Sequence, residues 1–142
     1  MEQNSTARAK KFTLEQMKAA HAKVKSGADF PHYIQEIKSL GLKRYTFDVV
    51  DGKVTYYGES GYQVAAQAVY APKTINQVAS PDELSHIITI HQQGKNDFLT
   101  FCQQAADAGV KQWVIDTDRM LCIYEDIVGN EMVAEPIPQG DY

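Results

Sequence analysis

The stretch DFLTFCQQAADAGVKQWVIDTDRMLCIYEDIVG, Asp97 to Gly129, decides how the chain is read. Phe98, Phe101, Cys102 and Ala105 recur at helical spacing and Gly109 stops the pattern. Trp113 to Asp116 and Cys122 to Tyr124 then read as two strands of a hairpin across Asp118-Arg119. Shifted by 68 positions, Asp97 onto Asp29, the stretch falls without a gap on Asp29 to Gly61. Asp97, Phe98, Gln103, Gly109, Lys111, Asp116, Tyr124 and Gly129 meet Asp29, Phe30, Gln35, Gly41, Lys43, Asp48, Tyr56 and Gly61 as identities. Phe101/Tyr33, Val110/Leu42 and Trp113/Tyr45 are like-for-like pairs. Self-similarity at one fixed shift is the mark of a repeated structural unit, so the chain reads as a degenerate internal duplication.

Working outward, each half has the same punctuation. In the first, Thr13 and Gln16 form a capping box, Phe12 and Met17 a hydrophobic staple, and Leu14, Met17, His21 and Val24 one apolar helix face. Ser26-Gly27 ends that helix, Asp29 caps the next with Pro31 in its first turn, and Gly41 stops it. Tyr45, Phe47 and Val49 alternate with polar residues as a half-buried strand does, Asp51-Gly52 makes a tight turn, and Val54 to Tyr57 returns. In the second half Ser80, Pro81 and Glu83 open a helix that Gly94 closes, before the Asp97 stretch. Glu131 to Pro136 suits an outer strand. Residues 58–79 are the least legible: Gly58 to Ala71 fits strand, loop or short helix, and Lys73 to Ala79 suits a short strand through Ile75 and Val78.

The expectation is an α+β domain: a helix-helix-β-hairpin unit used twice, one antiparallel sheet, four helices on one face, and a pseudo-twofold axis between the halves. A single domain over 12–136, with repeats at about 12–64 and 80–133, would sit between an N-terminal tail 1–11 and a C-terminal tail 137–142. Two separate modules of about 65 residues would each have a meagre core.

The net charge of −4 argues against general nucleic-acid or anionic-membrane binding, which needs a basic face. No apolar run reaches the roughly 20 residues of a membrane span, and Met1 to Lys11 lacks the apolar centre of a signal peptide. Two cysteines make neither a disulfide framework nor a zinc spacing. The expectation is a cytoplasmic protein with reduced thiols.

The candidates for a pocket are His91, Cys102, Trp113, Asp116, Cys122 and Tyr124. Each has a plain structural explanation as well. The repeat lays Cys102 on Ile34 and Cys122 on Val54, inward apolar positions where a thiol packs as a small hydrophobe. His21 and His91 lie on apolar helix faces, where a buried, hydrogen-bonded histidine is the ordinary case. His86 and His91 are about 140° apart around a helix and share no metal-binding face. Asp116 and Asp118 sit at a turn, where aspartate serves local hydrogen bonds. Gly94-Lys95-Asn96 lacks the glycine-rich lead-in of a phosphate loop. No metal and no cofactor is implied.

His91-Gln92-Gln93-Gly94-Lys95, Asp97-Phe98, Phe101-Cys102, Gly109-Val110, Trp113, Cys122-x-Tyr124-x-Asp126 and Gly129 resemble the pattern of the YbcV-like family. Ser26-Gly27-Ala28-Asp29-Phe30-Pro31 and Gly41-Leu42-x-x-Tyr45 fit it upstream, so the likeness covers Thr13 to Pro136. The resemblance implies a small bacterial protein of unknown function, sometimes labelled a phage envelope protein, and brings no catalytic residue with it.

Two function classes follow. One is a non-catalytic binding or self-association module; the other is an enzyme gathering His91, Cys102, Asp116 and Cys122 in a cleft, with two of them in hydrogen-bond reach. A prophage-associated structural or regulatory protein is a further alternative. The first is favoured because no motif demands the second. It has a candidate surface too: the second hairpin carries Val114, Leu121 and Ile123 on the strand face that the first gives to polar residues, and a strand apolar on both faces is usually covered on both. A homodimer through those three side chains is the expected cover, with a segment of the same chain as the alternative.

Overall fold

The computed structural model describes residues 12–24 and 29–137. In chain order these form α1 (Leu14–His21), α2 (Phe30–Ser39), β1 (Arg44–Asp48), β2 (Val54–Tyr57), a 3₁₀ turn at Glu59–Gly61 and β3 (Gln63–Ala65). The second half follows with α3 (Pro81–Gln92), α4 (Phe98–Asp107), β4 (Gln112–Asp116), β5 (Leu121–Glu125) and β6 (Glu131–Pro136). The strands make one six-stranded antiparallel sheet in the order β3-β2-β1-β4-β5-β6. The two hairpins therefore lie side by side along β1 and β4, in one continuous sheet.

Local chemistry accounts for the elements. Thr13 accepts from the Gln16 amide while the Gln16 side chain accepts from the Thr13 amide, completing the capping box. Ser80 does half of this at α3: its hydroxyl accepts from Glu83, but its own amide donates to the Ala108 carbonyl at 2.9 Å. Asp97 accepts from Thr100 and opens α4. Gly41 and Gly109 end their helices at φ +106° and +94°, the left-handed conformation that favours glycine.

Several contacts recur at the shift of 68. Arg44 lies opposite Tyr57 in the first hairpin and Gln112 opposite Glu125 in the second. Lys43 donates to Tyr57 and Lys111 to Glu125, both at 2.8 Å. Across the seam, Thr46 faces Val114, Val49 donates to Lys111 and Thr117 donates to Lys43.

One apolar core lies between the helices and one face of the sheet. It takes Met17, Tyr33, Ile34 and Ile37 from the first helical pair, Leu84, Ile87, Ile88, Phe101 and Cys102 from the second, and Tyr45, Phe47, Trp113, Ile115 and Tyr124 from the strands. Ile123 is 9% exposed yet lies outside that cluster, because strand alternation turns it with Val114 and Leu121 to the opposite face.

Residues 66–80 form a strap with no strand of their own, so the expected strand through Ile75 and Val78 is absent. The reason is where its amides go. Val69 and Lys73 donate to the β1–β2 turn at Asp51 and Val50, and Asn76 donates to Ala106 at the end of α4. Ile75 is buried while Val78 is exposed. The strap passes on the helix side and leaves the outer sheet face alone. His21, expected on a buried face, is exposed beside Tyr33. Ile137, placed with the tail by sequence, is buried and donates to Met120. Ser26-Gly27 and the tails 1–11 and 138–142 lie outside the described residues. Among those described, no helix is long and apolar enough to cross a membrane.

Candidate functional site

The inward face of β4 and β5 brings together part of the candidate set. Trp113 and Tyr124 are register partners with ring centroids 5.7 Å apart. Trp113 stacks on Phe47 at 4.3 Å and touches Phe101 at 5.6 Å, and Phe98 stands edge-on to both Phe47 and Trp113. His91, near the end of α3, stacks on Phe101 at 4.6 Å. The result is a run of rings from half-buried His91 to Phe98, which α4 leaves 45% exposed.

A polar relay fixes the imidazole. His91 Nδ1 lies 2.7 Å from Asn96 Oδ1, and Asn96 Nδ2 donates to Gln104 Oε1 at 2.7 Å. An amide oxygen only accepts, so Nδ1 is the donor in this contact. Asn96 and Gln104 were missed from sequence because neither has a spacing signal; the α3–α4 turn puts them together.

Cys122 sits beside Tyr124 in a cluster of hydroxyls made with Tyr33 and Tyr45. Burial pushes the Cys122 thiol up to about 12, with the Tyr124 hydroxyl acting the other way. Burial also holds Tyr33, Tyr45 and Tyr124 well above the usual phenol range. Glu135, opposite Cys122 on β6, meets Gln92 at 3.4 Å from α3.

Cys102 and Asp116 lie apart from that cluster. Cys102 is fully buried on α4 under the strap, and burial raises its thiol to about 11 against the opposing effects of Tyr70 and Lys73. Asp116 belongs to the outer face. Burial would raise its carboxyl, but the Arg119 amide and side chain and the Asp118 amide outweigh that and hold it below the ordinary value.

The arrangement suits packing and recognition more than covalent chemistry. A thiol is nucleophilic as thiolate, and both thiols here are protonated near neutral pH. Among the described residues no group of three or more His, Cys, Asp or Glu side chains is placed to hold a metal ion.

The outer face has a different character. Val114 and Ile123 are register partners, with Leu121 two residues along β5. Polar pairs ring them: Lys111 with Asp48 at 3.0 Å, Gln112 with Glu125 at 2.8 Å, Arg119 with Asp116 at 3.0 Å, and Arg44 over the Tyr57 ring at 4.2 Å. An apolar centre with a polar rim is the usual anatomy of a protein interface. Comparison with known families places the molecule: residues 18–136 match the model described as protein of unknown function, DUF1398. The chain belongs to this family. No curated protein matches the chain. The DUF1398 match spans both hairpins and all the candidate residues, and its description assigns no activity to them.

Proposed function

We propose that the protein is a non-catalytic interaction module that self-associates through the outer face of its sheet. The observation that carries this is the apolar group on the face opposite the helices, where half-buried Val114 and Leu121 flank Ile123. The chain's own neighbouring side chains already reduce Ile123 to 9% exposure, while Val114 and Leu121 stay partly open, the strap running on the helix side and β6 extending the sheet at its edge. A second copy supplies an equivalent apolar centre, and twofold pairing is the commonest soluble assembly.

We also read the chain as an internal duplication with a pseudo-twofold axis through the Thr46–Val114 pair. The repeated registers, the paired left-handed glycines and the recurring seam hydrogen bonds support that reading. A cytoplasmic setting with reduced cysteines accords with two free, buried thiols.

The oriented imidazole of His91 favours a second, enzymatic reading, in which Nε2 would act as a base. It has no activated nucleophile at hand, so the interaction reading stands ahead of it. Sedimentation tests the first reading. Leu121→Asp should halve the mass of the wild-type assembly while the variant stays folded, whereas a wild type that sediments as a monomer at micromolar concentration overturns it.

A further inference from the structure

The two edges of the sheet are built differently. β6 carries Glu131 and Glu135, a register shift at Tyr124/Glu125, and Pro136 at its end. Charge, irregularity, proline and shortness are the devices that stop an edge from pairing with another chain. β3 has only the last, at three residues. From Ser60 to Pro72 the chain carries no charged side chain, and Gln63, Ala65, Gln67, Ala68 and Val69 are all exposed.

The hydrogen bonds say which backbone groups of β3 are unused among the described residues. Gly58 donates to Tyr62 and Ala66 donates to Val54, and Val64 lies opposite Tyr56 between them. In an antiparallel pair, bonding residues alternate. Tyr62, Val64 and Ala66 therefore turn their backbone groups to β2, and Gln63 and Ala65 turn theirs outward.

We propose that β3 is a self-pairing edge. Two copies join antiparallel about a twofold axis at Val64, giving one twelve-stranded sheet. In this register Gln63 of each copy pairs with Ala65 of the other, their outward amides and carbonyls exchange hydrogen bonds, and Val64 faces its own copy. The occupant is a second copy because the segment is complementary to itself: no charge meets a like charge across the axis, and the same outward groups serve both strands. With β6 blunted, assembly at the edge closes at two copies and does not run on as a fibre. The contact is independent of the outer-face reading. With both contacts the assembly is a tetramer; with the edge alone it is a dimer.

The test uses the full chain. A residue pair facing across the axis without mutual hydrogen bonds has Cα atoms about 4.5 Å apart, within disulfide reach. Val64→Cys should therefore form an intermolecular disulfide readily under diamide, far faster than a control at exposed Asp82→Cys on α3, and should do so in the Leu121→Asp background as well. Ala65→Pro removes only an outward amide, so it should halve the assembly mass while thermal stability holds. Crosslinking of Val64→Cys no faster than the control, or unchanged mass in folded Ala65→Pro, overturns the edge contact. A monomer from Leu121→Asp alone overturns it too, whereas a monomer from Ala65→Pro alone leaves the edge standing and removes the face.

Discussion

The first hairpin turns Thr46, Lys53 and Thr55 to the outer side of the sheet, and at the corresponding positions the second turns Val114, Leu121 and Ile123. On the inner side the two hairpins agree: Tyr45, Phe47, Val54 and Tyr56 against Trp113, Ile115, Cys122 and Tyr124 are all apolar or aromatic. The inner face has one job in both, to bury itself under a helical pair, and packing holds it to apolar side chains. Among the described residues the outer face carries no helix, so each hairpin is free to differ there. An apolar choice at such a place needs a reason outside the domain, and self-association is the one we put forward.

Two left-handed glycines of the second half differ in what surrounds them, and this gives the largest predicted effect. A methyl group at Gly109 would meet the Ala79 Cα at 2.7 Å and the Val78 carbonyl at 3.0 Å, both backbone of the strap. Gly109→Ala should lower stability by roughly 3 kcal/mol in urea unfolding, combining left-handed strain with a clash that cannot relax cheaply. Gly94→Ala, with φ +73° and open space around it, should cost only about 1 kcal/mol. Equal losses would mean that the strap does not press on the α4 exit.

Alkaline pH sharpens the contrast between inner and outer faces. Cys102 and Cys122 hold their protons in the folded state to about 11 and about 12, above the ordinary thiol value of 9.0. The folded state therefore binds more protons than the unfolded one above pH 9. The stability this gives is complete below that pH and is lost as pH rises toward the folded values, by up to about 1.4 kcal/mol per pH unit per group. Tyr45 and Tyr124 add in the same direction. Urea midpoints should fall steeply above pH 9, and less steeply in Cys122→Ala. A flat profile would show that the thiols meet solvent.

Thr117 and its counterpart Val49 are both fully buried, but only Thr117 has a hydroxyl to place, and it reaches the Leu42 and Lys43 carbonyls at 2.9 Å. Thr117→Val keeps the shape and should cost about 1 kcal/mol. The smallest effect belongs to the imidazole relay: Asn96→Ala should cost somewhat under 1 kcal/mol at its part-buried site. A larger loss there would give His91 a structural weight not ascribed to it here.

Much of this was legible in the sequence for reasons that can be named. The helix starts were written in Thr13, Ser80 and Asp97 and the stops in Gly41 and Gly109, because caps and left-handed residues are local. Both hairpins pair in the same register at the shift of 68, through turns of equal length and different sequence. Residues 58–79 resisted because their structure is set by distant partners, such as Ala106 for Asn76 and Val50 for Lys73. The candidate pocket was half legible. Alternation turns Trp113 to one face of β4 and Asp116 to the other, so the outward place of Asp116 was legible, but only the fold shows that Tyr70 and the strap seal Cys102.

The most direct test of the contrast is to place the same charge at equivalent points of the two hairpins, Ile123→Asp and Thr55→Asp, and compare sedimentation equilibrium with wild type, each variant first checked as folded by circular dichroism. Thr55→Asp should keep the wild-type mass and Ile123→Asp should fall to half of it. Equal behaviour of the two variants, or a monomeric wild type, would contradict the assignment of the second hairpin's outer face to self-association.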